Sequence, residues 1–371
     1  MYLENLAKID EAVMESGCRD EGPTPQVLRN ISSEVRQKSR LHSNKLLSLQ
    51  FMVQKRTNSP DEVLQKVFLH PKGVLLWSQR SFEIYQERCR EDIVYLDATG
   101  SIKKKEKGSP PFYVNELVVR HPHKGSSPLP VATYLTCDDT TASVTYFLEA
   151  FLTDVARAYG RQAMRSPLML ICDGSVVLMQ AICLSFVKRN LHDTINLYYR
   201  ISTGIATKGD FEVPVLHRCL SHVMKNAKEM CRKNAPNHYN LAMHGFGLFT
   251  TATTLEDLED MVQSATVVFS SPSSEANVEK HFHNLQKWLQ NKGIQLDDTA
   301  KPQSNAEDLQ EFNGNKFGEH FREVISKVPL DIDGEPNPYF SKGLVSHINK
   351  YFLPYALFPD PTRSRYDGCL T

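Results

Sequence analysis

The chain has 371 residues, 41% hydrophobic and 23% charged, enough for two or three domains and too mixed for a disordered or fibrous protein. Its 43 Lys and Arg balance 43 Asp and Glu, so the total charge gives no general attraction to nucleic acid. Eight scattered cysteines and no secretory leader argue against a disulfide framework and for a reducing compartment, cytosol or nucleus.

Residues 1–90 read as mainly helical, a packing unit or a DNA-binding module. Thr24-Pro25 starts one helix whose polar side carries Arg29, Arg36, Lys38 and Arg40. Ser59-Pro60-Asp61 starts a second, with Val63, Val67 and Phe68 as its apolar stripe. Beyond residue 92 the pattern turns to short β-type runs. Ile93–Leu96 ends at Asp97, and Phe112–Val119 and Pro130–Thr136 follow, joined by Gly-, Pro- and Ser-rich turns that suit an antiparallel meander. The basic turn Lys103, Lys104, Lys105 and Lys107 lies between the first two runs.

A strong helix comes next, capped by Asp139 or Thr140 and ended by Gly160. Val144, Phe147, Leu148, Phe151, Leu152, Val155 and Tyr159 form its apolar face. The stretch from Leu168 to Val187 has transmembrane length, but Asp173-Gly174-Ser175 divides it into strand, turn and helix. No membrane span is expected. Ile195–Ile201 is expected as a fifth strand. Helix signals then dominate, including Leu255–Val268 and Glu275–Leu289, with a linker at Lys301–Ser304 and a turn-rich tail from Pro354.

Three strands, a helix, a strand and a helix is the order of a ribonuclease-H-like α/β domain. The expected fold is therefore a mixed five-stranded sheet with helices over residues 91–250. It stands between the helical region 1–90 and a mainly helical insertion region, 251–371. In that arrangement the first and fourth strands adjoin, which makes Asp97 and Asp173 neighbours.

Two carboxylates at adjacent strand ends suit a hard cation such as Mg²⁺ or Mn²⁺, the metals of phosphoryl transfer. The plainer alternative is that both acids cap strand ends, since Asp before Gly is ordinary turn chemistry. In His217-Arg218-Cys219-Leu220-Ser221-His222, Cys219 and His222 are spaced as on one helical face, which supplies half of a Zn²⁺ site or a polar helix with a part-buried cysteine. Charge is also segregated. Residues 151–250 carry 12 basic and 6 acidic residues, net +6, while residues 251–335 carry 7 and 16, net −9. DNA contacts are accordingly expected from Lys103, Lys104 and Lys105, and from Lys225, Lys228 and Arg232 with Lys233; solvated surface is the alternative.

Val94-Tyr95-Leu96-Asp97-Ala98-Thr99-Gly100, then Leu170-Ile171-Cys172-Asp173-Gly174, then Cys219-Leu220-Ser221-His222 with Asn226, together resemble Mutator-like element (MULE) transposases. These form a branch of the DDE transposases. The resemblance covers about residues 70–371. It implies a nuclear protein that cleaves DNA and transfers strands, with Asp97 and Asp173 as catalytic metal ligands. It also implies transposon ends as partner and a homodimer as the candidate assembly.

The family's third catalytic residue is a Glu on a helix behind the inserted segment. This sequence departs from the pattern, stopping at Gly368-Cys369-Leu370-Thr371 about where that stretch should begin. Glu275 and Glu279, one turn apart, are better read as favourable charges at a helix start than as ligands. The chain is therefore expected to be inactive as it stands, a fragment or a domesticated remnant. A non-catalytic DNA- or protein-binding protein is the alternative; an ordinary metal-dependent nuclease would need its further acids within this chain.

Overall fold

The computed structural model describes residues 25–38, 40–55, 62–90, 93–100, 110–123, 125–292, 314–341 and 343–355. Among the described residues two helices come first, α1 (Pro25–Lys38) and α2 (Lys45–Gln54), the latter capped by the Asn44 side chain. A hairpin, β1 (Leu64–Leu69) and β2 (Lys72–Leu76), stands where a second amphipathic helix was expected from Val63, Val67 and Phe68. The correction has a local reason. Pro71 blocks helix continuation, and the β-branched and aromatic residues around it favour extended backbone. Helix α3 (Gln79–Arg88), capped by Ser78, leads into the three expected strands, β3 (Ile93–Gly100), β4 (Tyr113–Val119) and β5 (Leu129–Thr136).

Thr140 caps α4 (Thr141–Tyr159) by accepting from the Ser143 amide, and Gly160, at φ 84°, releases the chain from it. The stripe Val144, Phe147, Leu148, Phe151, Leu152 and Val155 is buried, as its spacing predicts. Then come β6 (Met169–Cys172), α5 (Val176–Ile182) with a π turn over Cys183–Val187, and α6 (Leu191–Ser202). Among the described residues no helix is long and apolar enough to cross a membrane.

The expected strand at Ile195–Ile201 is instead part of α6. Its buried residues Leu191, Thr194, Ile195 and Tyr198 recur with helical spacing, and the Asn190 side chain caps its first turn. The strand that follows β6 in the sheet is β7 (Val215–Arg218). It leads through Cys219 into α7 (Leu220–Asn234), followed by α8 (Tyr239–Phe249), α9 (Leu255–Ser270), α10 (Ala276–Lys292), α11 (Lys316–Ser326) and α12 (Leu344–Tyr351). A two-residue ladder of β8 (Ser273–Ser274) and β9 (Glu335–Pro336) joins the start of α10 to the segment before α12. The linker at Lys301–Ser304 lies outside the described residues.

The fold is mixed α/β. Among the described residues the main sheet has seven strands, not five, in the order β1-β2-β5-β4-β3-β6-β7. Pairing is antiparallel from β1 to β3 and parallel from β3 through β6 to β7. The two additional strands are the β1–β2 hairpin, which extends the meander at β5. Alternation along the central strands buries Val94, Leu96, Leu117, Val119, Leu170 and Leu216. Helix α4 packs through aromatic rings: Phe147 stacks on Tyr134 of β5 at 5.6 Å, and Phe151 meets Trp77 edge-on at 5.7 Å and Tyr85 at 5.3 Å. Each such buried ring contributes about 1.5–3 kcal/mol.

Candidate functional site

Strands β3 and β6 run parallel with Val94 opposite Leu170 and Leu96 opposite Cys172. One step further along both strands stand Asp97 and Asp173, on chains whose spacing in a sheet is about 4.8 Å. Asp97 is exposed and still within β3. Asp173 is only 9% exposed, and its Oδ1 accepts the Ser175 amide at 2.8 Å, which forms the turn into α5. The strands thus put the two acids at neighbouring positions in different surroundings. One carboxylate faces solvent and the other is held by the backbone.

On the other side of β3, Asp97 pairs in register with Glu116 of β4. Residues directly opposite in an antiparallel pair lie on one face, so two carboxylates share it, an arrangement that is unfavourable without a compensating charge. Thr133 of β5 donates to Glu116 Oε1 at 3.4 Å. Glu116 was not among the residues singled out from the sequence. The available signal was its position as the only acid in Phe112–Val119, but only the β3–β4 register shows what it faces. Carboxylate oxygens are the donors that Mg²⁺ and Mn²⁺ take, so Asp97 and Asp173 fit such an ion in kind. Among the described residues, no group of three or more His, Cys, Asp or Glu side chains is disposed to hold a metal ion.

The third parallel strand completes the row. Cys172 of β6 is opposite Arg218 of β7, and the Cys219 amide donates to the Cys172 carbonyl at 2.6 Å. Cys172 is fully enclosed. Burial, and then the negative charge of Asp173, push its thiol well above the usual range, with Arg218 opposing. Arg218 is itself 6% exposed. A Cβ on Gly174 would stand 3.0 Å from its Nη2, 3.6 Å from Nε and 3.7 Å from Cζ. The Asp-Gly pair therefore does more than turn the chain: glycine lets the guanidinium lie against the backbone behind Asp173. Arg218 also stacks over the Tyr355 ring at 5.1 Å.

Cys219 is the non-helical residue that caps α7, and His222 lies in the first turn, both half-buried. They sit at the strand–helix junction rather than along one stretch of helix. His217 is held by its Nδ1 contact to the Arg218 carbonyl at 2.7 Å, and burial lowers its pKa. Asn226 is buried in α7.

The basic residues expected to contact DNA differ in their surroundings. Lys103, Lys104, Lys105 and Lys107 lie outside the described residues. Lys225 and Lys228 are half-buried and engaged within the fold. Arg232 pairs with Glu229 at 3.4 Å and lies over Tyr239 at 5.8 Å, leaving Lys233 exposed. Glu275 and Glu279 belong to the junction of α10 with the β8–β9 ladder. Glu275 packs against Gly334, and the Asp331 carboxylate accepts the Glu275 and Val278 amides at 3.2 and 2.9 Å.

No family model matches this sequence, and no curated protein matches it.

Proposed function

We propose that this is a transposon-derived protein of the DDE transposase type, similar to MULE transposases, with Asp97 and Asp173 as ligands of one Mg²⁺ or Mn²⁺ ion. One observation carries the proposal: the two acids stand at neighbouring register positions, Asp97 inside β3 and Asp173 just past the end of parallel β6. The order β5-β4-β3-β6-β7, with β6 and β7 parallel to β3, supports a ribonuclease-H-like core to which β1 and β2 are added. In that setting a divalent ion would polarise a phosphodiester and lower the pKa of an attacking water. This chain's own part is to present Asp97 to solvent and to hold Asp173 through the Ser175 amide. DNA is the proposed partner, the nucleus the proposed location and a homodimer the proposed assembly. Zn²⁺ at Cys219 and His222 belongs to the same proposal and rests on their spacing.

A second reading is a non-catalytic DNA- or protein-binding protein on the same scaffold. What favours it is that Asp173 is 9% exposed and already accepts the Ser175 amide, a turn role that needs no metal. Two-metal chemistry requires both ions to be fixed. Titration calorimetry with Mn²⁺ tests the metal site: one ion should bind the wild type and be lost in both Asp97→Asn and Asp173→Asn. Absence of binding to the wild type, or binding to both variants equal to that of the wild type, refutes the site. Incubation with DNA and Mn²⁺ then tests activity: both readings expect no product from this chain, and cleavage that disappears in Asp173→Asn would overturn that expectation and establish catalysis.

A further inference from the structure

We propose that Arg218 is a positioning residue of this site, and that its stacking on Tyr355 couples the Asp173–Gly174 turn to the segment Leu344–Tyr355. The coupling to metal rests on the divalent-ion reading above; the clamp itself does not. Arg218 ends β7 and is almost wholly buried, although taking a guanidinium out of water is costly unless its surroundings compensate. Its surroundings are specific. The three atoms that a Cβ on Gly174 would meet all belong to the guanidinium, so the charged group lies against the backbone immediately after Asp173. The same group stacks over Tyr355 at 5.1 Å.

Tyr355 is anchored in turn. It is 5% exposed, follows the buried Leu353 and Pro354 in a short 3₁₀ turn, and donates its amide to the Phe352 carbonyl at 3.0 Å. Phe352 packs edge-on against Phe246 at 5.4 Å and beside Phe249 at 5.9 Å. Burial raises the Tyr355 hydroxyl pKa and the Arg218 charge opposes it, so the ring stays neutral against the cation. A continuous packed path runs from Asp173 through Gly174, Arg218 and Tyr355 to α12. A lysine ammonium would not reproduce both contacts, because the guanidinium presents Nη2, Nε and Cζ to Gly174 while its Cζ lies over the Tyr355 ring.

If an ion held by Asp173 steadies this turn, it must also steady α12 and the residues after it, and the reverse must hold by linkage. Hydrogen exchange of peptides spanning residues 344–355, with and without Mn²⁺, tests this in the full-length chain. In the wild type Mn²⁺ should slow exchange there by about 5-fold or more. Gly174→Ala, Arg218→Lys and Tyr355→Leu should each remove that slowing, while Tyr355→Phe, which keeps the ring, should retain it. Should Arg218→Lys fail to fold, the two Tyr355 variants decide.

Binding of Mn²⁺ that depends on Asp97, with unchanged exchange at 344–355, overturns the coupling and leaves the metal site standing. If the wild type binds no Mn²⁺, the metal site falls and the clamp is judged without metal. Faster exchange at 344–355 in Gly174→Ala and Tyr355→Leu, with Tyr355→Phe unchanged, then upholds it. Unchanged exchange in all three refutes it.

Discussion

Asp97 and Asp173 have the same chemistry but different costs. Asp97 is exposed within β3, so Asp97→Asn should alter stability by no more than about 0.5 kcal/mol in chemical denaturation while abolishing Mn²⁺ binding. Asp173 holds the Ser175 amide, so Asp173→Ala should cost about 1–3 kcal/mol by the same measurement. Asp210 is the contrasting structural acid. The Thr207 amide, then the Arg200 guanidinium at 2.7 Å, hold its carboxyl down at about 2, below its ordinary 3.8. The unfolded chain binds this proton first as pH falls. The contribution of Asp210 is therefore complete above about pH 4 and lost as pH drops through about 2. In Asp210→Asn the fall in melting temperature between those values should be shallower; an unchanged slope would show that Asp210 does not contribute.

At the scale of elements, α4 carries the most informative packing. Phe151 is fully buried among Trp77, Phe82 and Tyr85, so Phe151→Ala should cost about 3–5 kcal/mol. A loss under 1 kcal/mol in urea denaturation would mean that α4 does not dock against Trp77 and α3 through these rings. Helix α6 shows why short apolar runs mislead: Ile195–Ile201 contains β-formers, but Leu191, Ile195 and Tyr198 fall on one helical face once Asn190 caps the turn. On helix α7, Lys225 and Lys228 are half-buried and each has a partner, while Lys233 is exposed.

For the whole molecule, local charge matters more than the balanced total. If DNA binds, affinity should fall steeply with added salt in a gel-shift series, because phosphate contacts release counterions. Salt-insensitive binding would point to a protein-interaction role. All six described cysteines are free thiols. Cys89, Cys172, Cys183 and Cys231 are buried, and burial raises each thiol, Cys89 to about 11 and Cys183 and Cys231 to about 12. Among these six, brief native labelling at pH 8 should therefore reach Cys137 and Cys219 and spare the other four until the protein unfolds. Peptide mapping after labelling checks this.

Local pattern was sufficient where neighbours in sequence decide the outcome. The three-strand meander, the α4 stripe with its Thr140 cap, and the strand–turn–helix reading of Leu168–Val187 follow from periodicity and capping. Asp173 follows the end of β6 as its apolar run implies, whereas Asp97, expected to end its strand, lies inside β3, which runs on to Gly100. Tertiary structure decided what depends on partners distant in the chain. It joined the 64–76 hairpin to the sheet through β5, and it supplied β7 as the strand beside β6. It set Glu116 across from Asp97, and Arg218 between Gly174 and Tyr355. The physical reason is that periodicity records which side of an element is apolar, whereas register and long-range stacking join residues that no local window contains.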